Sequence, residues 1–422
     1  MTGTNVQSTS LVLAIAAALI ALCLSAGGQT LAVVHNFTGA VGDGAYPYDA
    51  GLLALGGKLY GVTSGGGRRG AGTFYELTLQ SNGTWELSVL YSFTGGDPIG
   101  SVIADTAGNF YGITNGGGLH GAGTAYRLSN TSGTWQKTTL WSFGGPRDGA
   151  YPSAGLVLDQ SGNLYGTTVL GGIYGEGAAF ELSPSAGEMY TETLLHSFGA
   201  GASDGEHPNA PLIIDAAGNL FGTTSIGGST TCSLETLSCG TVFELSPGAN
   251  GWTETVIHYF EANGTDGFFP LSPLMMDKEG NLYGTTEDGG SGGDRCDSGG
   301  GTTGCGTVFV LSRSPSGHWE EQIIHAFGGG DAGSEPNSGL VTDSAGNIYG
   351  ETAPTEQFQG DGAVYELARS SSGVWEFEIR VTFNGTNGNS PQGGLVLAQD
   401  RLFGTTNAGG ASGEGDVFAL AP

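Results

Sequence analysis

One short segment, Asn-Leu-Phe-Gly-Thr-Thr at residues 219–224, recurs along the chain and constrains the fold more than any other feature. Self-similarity at a period above about 20 residues marks a repeat architecture, in which neighbouring units share one continuous core. The 422 residues are therefore expected to form one domain, although their length alone would suggest about two or three. Seven copies keep an aromatic residue followed by glycine, 51 to 66 residues apart: Tyr60-Gly61, Tyr111-Gly112, Tyr165-Gly166, Phe221-Gly222, Tyr283-Gly284, Tyr349-Gly350 and Phe403-Gly404.

Each unit contains four short apolar runs, labelled A to D. Run A usually ends in Asp, run B is the recurring segment, run C reads Val-Phe-Glu-Leu, and run D opens on Trp or Tyr and closes on Phe eight residues later. Runs rich in β-branched and aromatic residues and bounded by Gly, Asn or Asp predict strands. One acidic residue recurs in the turn after run A, so we interpret it as a turn acceptor and not as a catalytic acid. The five copies of this residue are Asp105, Asp159, Asp215, Asp277 and Asp343.

The two ends of the chain complete each other. Residues 30–37 form a lone D run, six full units occupy residues 50–383, and residues 392–420 form A, B and C runs without a D. If the first and last segments pair, they make a seventh blade, and a closed ring has no open sheet edge. The sequence therefore predicts an all-β, seven-bladed β-propeller of four-stranded blades over residues 29–422, with the last blade closed by the N-terminal strand.

The repeat unit resembles the GloVer tandem repeat, named for Gloeobacter and Verrucomicrobia. The shared features are Leu-Tyr-Gly-Thr-Thr, a Gly-Gly pair, Val-Phe-Glu-Leu, Trp, His-Ser-Phe and then Asp-Gly-x-x-Pro, and the resemblance covers residues 30–421. The repeat is found in exported bacterial proteins called choice-of-anchor tandem-repeat proteins. The resemblance implies export and a repeat architecture, and it implies no particular chemistry.

The charge balance narrows the choice of partners. The chain has 12 Lys and Arg residues against 40 Asp and Glu residues, a net charge of −28. Such a chain repels nucleic acids and anionic membranes, so we expect neither as a partner. Cations, neutral saccharides and protein surfaces remain open, and solubility alone is the simpler explanation of the charge. We expect a monomer.

Residues 1–28 have the features of a signal peptide. Residues 11–26 are apolar and uncharged, are shorter than the roughly 20 residues of a membrane span, and end in small residues. Residues 1–10 contain no Lys or Arg, so an uncleaved N-terminal anchor is the alternative. We expect export to the periplasm, the cell surface or the medium, and no membrane insertion after cleavage.

The B-to-C loops of units four and five depart from the repeat. The interval between the run B and run C aromatic residues is 15 or 16 residues in five units, but 22 in unit four and 26 in unit five. The two insertions contain Cys232, Cys239, Cys296 and Cys305. An even number of cysteines in an exported chain predicts disulfides, within Cys232–Cys239 and within Cys296–Cys305. A four-cysteine metal site is the alternative, and the absence of CxxC spacing argues against it.

Loops on a rigid scaffold commonly carry binding residues, so these two loops are the predicted contact region. The candidate binding residues are Glu235, Glu287, Asp288, Asp294 and Asp297. Carboxylates among glycines would suit calcium, and a solvated acidic loop is the alternative. No other metal or cofactor is predicted.

The sequence predicts no catalytic residue. His35, His196, His258 and His325 share one repeat position that holds Tyr, Trp or Val in other units, so we interpret it as a packing position. The residues entering run A, which lines the axis of a propeller, are small or neutral. We therefore predict a non-enzymatic exported binding or surface-scaffold protein of unknown ligand. The alternatives are a secreted glycosidase or polysaccharide lyase, by analogy of fold alone, and a purely structural envelope protein.

Overall fold

The structure is a computed structural model that describes residues 31–48, 51–186, 189–228, 239–291, 304–329, 333–354 and 360–422. In chain order, the strands of this described part are β1 (Ala32–Asn36), β2 (Gly44–Ala45), β3 (Leu53–Leu55), β4 (Lys58–Thr63), β5 (Gly65–Gly66), β6 (Thr73–Leu79), β7 (Trp85–Ser92), β8 (Pro98–Ala104), β9 (Phe110–Thr114), β10 (Thr124–Thr131), β11 (Thr134–Ser142), β12 (Gly149–Ala150), β13 (Val157–Leu158), β14 (Leu164–Thr168), β15 (Leu170–Gly171), β16 (Ala178–Pro184), β17 (Tyr190–Ser197), β18 (Gly205–Glu206), β19 (Ile213–Ile214), β20 (Leu220–Thr224), β21 (Ile226–Gly227), β22 (Thr241–Gly248), β23 (Gly251–Tyr259), β24 (Gly267–Phe268), β25 (Met275–Met276), β26 (Leu282–Thr286), β27 (Asp288–Gly289), β28 (Thr307–Arg313), β29 (Trp319–Ala326), β30 (Val341–Thr342), β31 (Ile348–Thr352), β32 (Ala363–Arg369), β33 (Trp375–Thr382), β34 (Asn389–Pro391), β35 (Val396–Ala398), β36 (Arg401–Ala408) and β37 (Asp416–Leu420).

These strands form the predicted seven-bladed propeller. Each blade is an antiparallel sheet whose strands A, B, C and D follow one another from the axis outward. The blades are β3-β4-β6-β7, β8-β9-β10-β11, β13-β14-β16-β17, β19-β20-β22-β23, β25-β26-β28-β29, β30-β31-β32-β33 and β35-β36-β37-β1. Blade 7 also contains β34, which pairs with the extended strand β36.

Blade 7 is closed by the N-terminal strand, as predicted. β1 pairs antiparallel with β37, with Ala32 opposite Ala419 and Asn36 opposite Asp416. Phe37 follows β1 and is fully buried, and its ring lies 5.3 Å from that of Tyr75 in blade 1. The two ends of the described chain therefore form one sheet and pack against the first blade.

Strands B and C are buried on both faces because each blade stacks between two others. The glycine of strand B makes room for the aromatic residue of strand C in the same blade, since a Cβ on Gly166 would lie 2.7 Å from Cζ of Phe180. The Trp that opens strand D packs on the strand B aromatic residue of the preceding blade. For example, the ring of Trp252 lies 5.9 Å from that of Tyr165. The spacing of aromatic residues in the repeat therefore encodes the stacking of blades.

The core consists of hydrophobic clusters between neighbouring blades, and the described residues form seven of them. The cluster between blades 7 and 1, for example, contains Phe37 and Val417 from the closing sheet with Leu59 and Tyr75 from blade 1. Stability is thus distributed around the ring and is not concentrated at one centre.

The recurring Asp after strand A is a turn acceptor, as predicted. Asp105 Oδ1 accepts from the backbone N–H groups of Ala107 and Asn109, both at 2.9 Å. Its Oδ2 accepts from Asn109 Nδ2 at 2.7 Å and from the Tyr111 hydroxyl at 3.0 Å. The predicted signal peptide lies outside the described residues, within which no helix has the length and apolar character of a membrane span.

Candidate functional site

A segment of the form Asp-Gly-x-x-Pro connects strand D of one blade to strand A of the next, and we call this segment the strap. It lies on the same face as the B-to-C loops, and in four blades its Gly pairs with residues that follow strand B. The residue before the strap proline has a left-handed backbone, with φ between 50° and 57°, in six blades: Tyr46, Tyr151, His207, Phe269, Glu335 and Ser390.

Backbone hydrogen bonds between blades hold this left-handed conformation. Tyr151 N–H donates to the carbonyl of Ala122 in the preceding blade at 2.9 Å, and its own carbonyl accepts from Val169 N–H at 3.2 Å. A non-glycine residue in this region costs about 1–3 kcal/mol and persists where surrounding contacts determine it. The straps therefore fix how the chain enters strand A at the axis.

The residue after the strap proline faces an axial cavity of about 490 Å³. Ligand pockets typically measure about 300–1,000 Å³, so this one has room for a small molecule or part of a chain. Most of the other lining residues are small ones at the start of strand A, as the sequence indicated, including Ala154, Gly155, Gly339 and Gly394. The post-proline residues that line the cavity are Tyr48, Ser153, Asn209, Leu271, Asn337 and Gln392.

The lining offers neutral hydrogen-bonding groups. Asn209 is held by its neighbours, because its carbonyl accepts from Ser153 Oγ at 3.2 Å and its Nδ2 donates to Ser225 Oγ at 3.0 Å. Asn337 Oδ1 is buried and has no hydrogen-bond partner among the described residues. The described lining residues carry no carboxylate, Lys, Arg or His side chain. The cavity is thus suited to hydroxyl or amide groups on a ligand.

Sequence reasoning missed Glu351, a buried acid directly behind the cavity wall. Strand B of blade 6 reads Tyr-Gly-Glu-Thr, where blades 3, 4, 5 and 7 have Thr at the third position and blades 1 and 2 have Val or Ile. In blade 3 that residue, Thr167, donates from Oγ1 to the carbonyl of Ala210 in the next blade at 3.1 Å. Glu351 instead accepts at Oε2 from the N–H of Gly394 in blade 7 at 3.0 Å. Burial raises the pKa of Glu351 to about 8.

Two of the five predicted binding acids are described. Glu287 N–H donates to the Phe269 carbonyl at 3.0 Å, and Asp288 in β27 pairs with Phe268 of the strap. Burial raises the pKa of Glu287 to about 7, with further contributions from Asp288 and Glu335, and raises that of Asp288 to about 6. The clusters of metal-ligating side chains in the described part do not include these acids.

The remaining predicted binding acids, Glu235, Asp294 and Asp297, lie outside the described residues. A calcium site in the loop of blade 5 stays a prediction.

Two of the four cysteines are described, and both are fully buried at the ends of the loop insertions. The carbonyl of Cys239 accepts from Phe269 N–H at 3.1 Å, and that of Cys305 accepts from Glu335 N–H at 2.9 Å. Each insertion therefore ends on the strap of the next blade. Cys232 and Cys296 lie outside the described residues, so the disulfide pairing stays a prediction.

The fold and the cavity define this protein as a seven-bladed β-propeller with a neutral axial cavity on its strap face. The chain belongs to the Gloeobacter/Verrucomicrobia repeat family, whose profile matches residues 21–157, 86–295 and 296–422. The resemblance seen in the sequence is thereby confirmed.

Comparison with solved structures supports the fold alone. The crystal structure of an ancestral GH74 enzyme is 13% identical with a TM-score of 0.56, and the match covers 90% of this chain and 48% of that enzyme. This chain therefore spans about half the length of that structure. A candidate gluconolactonase is 13% identical with a TM-score of 0.40, over 95% of this chain and 94% of the other. No curated protein matches this chain.

Proposed function

We propose that this protein is a non-enzymatic exported binding module that takes a neutral, hydroxyl-rich ligand, a saccharide, at the mouth of the axial cavity. The observation that supports the proposal most is the set of post-proline residues that converge there. They combine an aromatic ring at Tyr48 with the amide side chains of Asn209, Asn337 and Gln392. Amides donate and accept hydrogen bonds, and an aromatic face packs against the C–H surface of a sugar ring.

The enzymatic alternative is supported less well by the same geometry. Glycoside hydrolysis usually requires two carboxyl groups that flank the bond to be cleaved. Glu351 has the raised pKa that a general acid needs, but its side chain is fully buried behind Gly394, and the described cavity lining offers no second carboxyl group. Binding without turnover therefore accounts for the cavity with fewer assumptions.

The test is thermal unfolding of the purified protein with a panel of soluble neutral polysaccharides, namely β-glucans, xylans and mannans. A ligand that binds only the folded state raises the melting temperature. We expect at least one polysaccharide to raise it, and the double substitution Tyr48→Ala with Asn337→Ala to abolish that shift. Tyr174→Ala is the matched control, since Tyr174 is 52% exposed on a B-to-C loop of the same face but does not line the cavity.

Two outcomes would contradict the proposal. If every polysaccharide left the melting temperature unchanged, or if the shift survived the double substitution, the cavity would not be the saccharide site. If the same polysaccharides released reducing ends on incubation with the protein, the non-enzymatic assignment would be wrong.

A further inference from the structure

In six pairs of neighbouring blades, strand D of one blade lies against strand D of the next, and we call this contact an outer seam. Three repeat positions meet there: the residue two before the closing Phe, the Asp of the following strap, and the second residue after the Trp or Tyr that opens the next strand D. Between blades 4 and 5 these residues are His258, Asp266 and Glu321. His258 does pack on Phe260, with ring centres 4.6 Å apart, as the sequence interpretation required. Its Nε2, however, faces the two carboxyl groups.

The three side chains converge without satisfying one another. His258 Nε2 lies 3.7 Å from Asp266 Oδ2 and 3.5 Å from Glu321 Oε1. These separations are long for hydrogen bonds, and Nε2 of His258, Oδ1 of Asp266 and Oε1 of Glu321 are all buried without a hydrogen-bond partner among the described residues. The Asp266 side chain is only 9% exposed, and its Oδ2 accepts from Glu261 N–H at 2.8 Å. A buried unsatisfied polar group in a native structure often indicates an ion or a water.

We propose that His258, Asp266 and Glu321 bind a divalent transition-metal ion, zinc or a close relative, which cross-links the outer strands of blades 4 and 5. One ligand atom from each residue lies within 4.8 Å of the others. Tetrahedral zinc with bonds of about 2.0–2.2 Å to imidazole nitrogen and carboxylate oxygen separates its ligand atoms by about 3.3–3.5 Å. The observed separations of 3.5 and 3.7 Å are close to that edge. Imidazole favours zinc over calcium or magnesium, which prefer all-oxygen ligands.

The other seams provide an internal comparison. Between blades 3 and 4, His196, Asp204 and Glu254 form a second such cluster, but His196 Nε2 already lies 3.2 Å from Asp204 Oδ1 and makes a hydrogen bond with it. We expect that copy to bind the ion more weakly, because the ion must replace this bond.

Two further seams lack one or both of the carboxylates. Between blades 7 and 1, His35 bonds Asp43 at 3.0 Å, and the third position is Leu87. Between blades 5 and 6, the ring of His325 stacks on that of Phe377 at 4.0 Å. We therefore expect the metal ion to bind most tightly at the seam between blades 4 and 5.

The test uses the full chain, stripped with a chelator and then titrated with zinc chloride by calorimetry, with metal content measured by mass spectrometry. We expect one tight equivalent per chain and a higher melting temperature with zinc. His258→Gln and Glu321→Gln should each weaken the tight equivalent at least tenfold. His325→Gln is the matched control, because it changes the equivalent histidine of a seam without the carboxylates.

Circular dichroism of the metal-free variants shows whether each one folds, and the two independent ligand variants keep the test decisive if one does not. Tight zinc binding that persists in both His258→Gln and Glu321→Gln would place the ion elsewhere, for example on the cysteines, and overturn the proposal. Failure of the unsubstituted chain to bind zinc would overturn it as well, and would indicate that a proton on His258 holds the seam together.

Discussion

The interface between blades 4 and 5 and the interface between blades 6 and 7 each contain a largely buried glutamate, and the contacts of the two carboxyl groups differ. Between blades 6 and 7, Glu351 Oε2 accepts from the backbone N–H of Gly394 in the neighbouring blade, and its Oε1 has no hydrogen-bond partner among the described residues. Between blades 4 and 5, Glu321 Oε1 lies 3.5 Å from His258 Nε2, and neither atom has a hydrogen-bond partner among the described residues. Glu351 lies on strand B, near the axis, whereas Glu321 lies on the outer strand D.

This contrast separates a structural acid from a ligand-binding one. An acid that replaces a repeat residue and takes over its contact to the next blade substitutes one hydrogen bond for another, as Glu351 does for threonine. At the cluster of His258, Asp266 and Glu321, one buried atom of each residue lacks a hydrogen-bond partner among the described residues, whereas at Glu351 only Oε1 does. Each such atom would cost roughly 1–3 kcal/mol. The cluster, where three such atoms converge, is therefore the arrangement that suits a group from outside the chain.

The largest expected effect comes from removing a seam entirely. Deleting residues 31–37 removes β1 and the buried Phe37, exposes the edge of β37, and opens the ring. Native stability is only about 5–15 kcal/mol, so we expect loss of the cooperative unfolding transition together with aggregation. Differential scanning calorimetry and light scattering measure both effects.

Deletion of Ala421 and Pro422 is the control for this truncation, because both residues are exposed and follow the last strand. A truncated protein without residues 31–37 that melted at the temperature of the intact chain would show that the ring does not depend on its closing strand. The contacts between neighbouring blades would then not contribute to one continuous structure, as the comparison above assumes.

The next largest effect is the pH dependence of stability that Glu351 confers. Its pKa is raised from 4.5 to about 8 by burial, so the folded state binds its proton more tightly than the unfolded state. The stability that this protonation contributes is complete below about pH 4.5 and is lost as pH rises through about 8. We expect Glu351→Gln, which stays neutral, to be close to the unsubstituted protein in stability at pH 5 and to exceed it at pH 8.5 by on the order of 4 kcal/mol.

Urea unfolding at a series of pH values between 5 and 8.5 measures this difference, with Glu86→Gln at an exposed position of β7 as the control. If the difference between Glu351→Gln and the unsubstituted protein were the same at both ends of the range, Glu351 would not be a buried neutral acid. The surroundings of Glu351 would then resemble those of Glu321 more closely than its contacts indicate.

Most of the fold could be predicted from the sequence, for a definite physical reason. Strand B glycines, the Trp that opens strand D and the Asp of the turn each have one local role that repeats in every blade, so their spacing carries the architecture. The lone D run at residues 30–37 and the unpaired run C before residue 421 then required a closed ring, and β1 does pair with β37.

The candidate sites could be predicted only in part. The small residues at the start of strand A were expected at the axis, and they line the cavity. The outer-seam cluster was missed because its histidine, the strap Asp and the acid of the next strand D occupy three separate repeat positions. Glu321 lies 63 residues after His258, and only the stacking of blades brings them together. Glu351 had a visible signal, a Glu in strand B where the other blades have Thr, Val or Ile, but the exceptions expected to carry function were those of strand A and of the B-to-C loops.

The smallest effect tests whether buried atoms without partners carry a cost in this protein, as the comparison of seams assumes. The hydroxyl of Tyr126 is buried without a hydrogen-bond partner among the described residues, and blades 3, 4, 5 and 7 have Phe at this position. We expect Tyr126→Phe to stabilise the protein by about 1 kcal/mol, because it removes a polar group that gains nothing in the fold. Tyr111→Phe makes the same chemical change where the hydroxyl donates to Asp105 at 3.0 Å, and should destabilise the protein by about 1 kcal/mol.

Urea unfolding of both variants measures these two changes in the free energy of unfolding. If Tyr126→Phe proved destabilising, unpartnered buried atoms would be tolerated here without cost, and the unsatisfied atoms of His258, Asp266 and Glu321 would no longer require an ion.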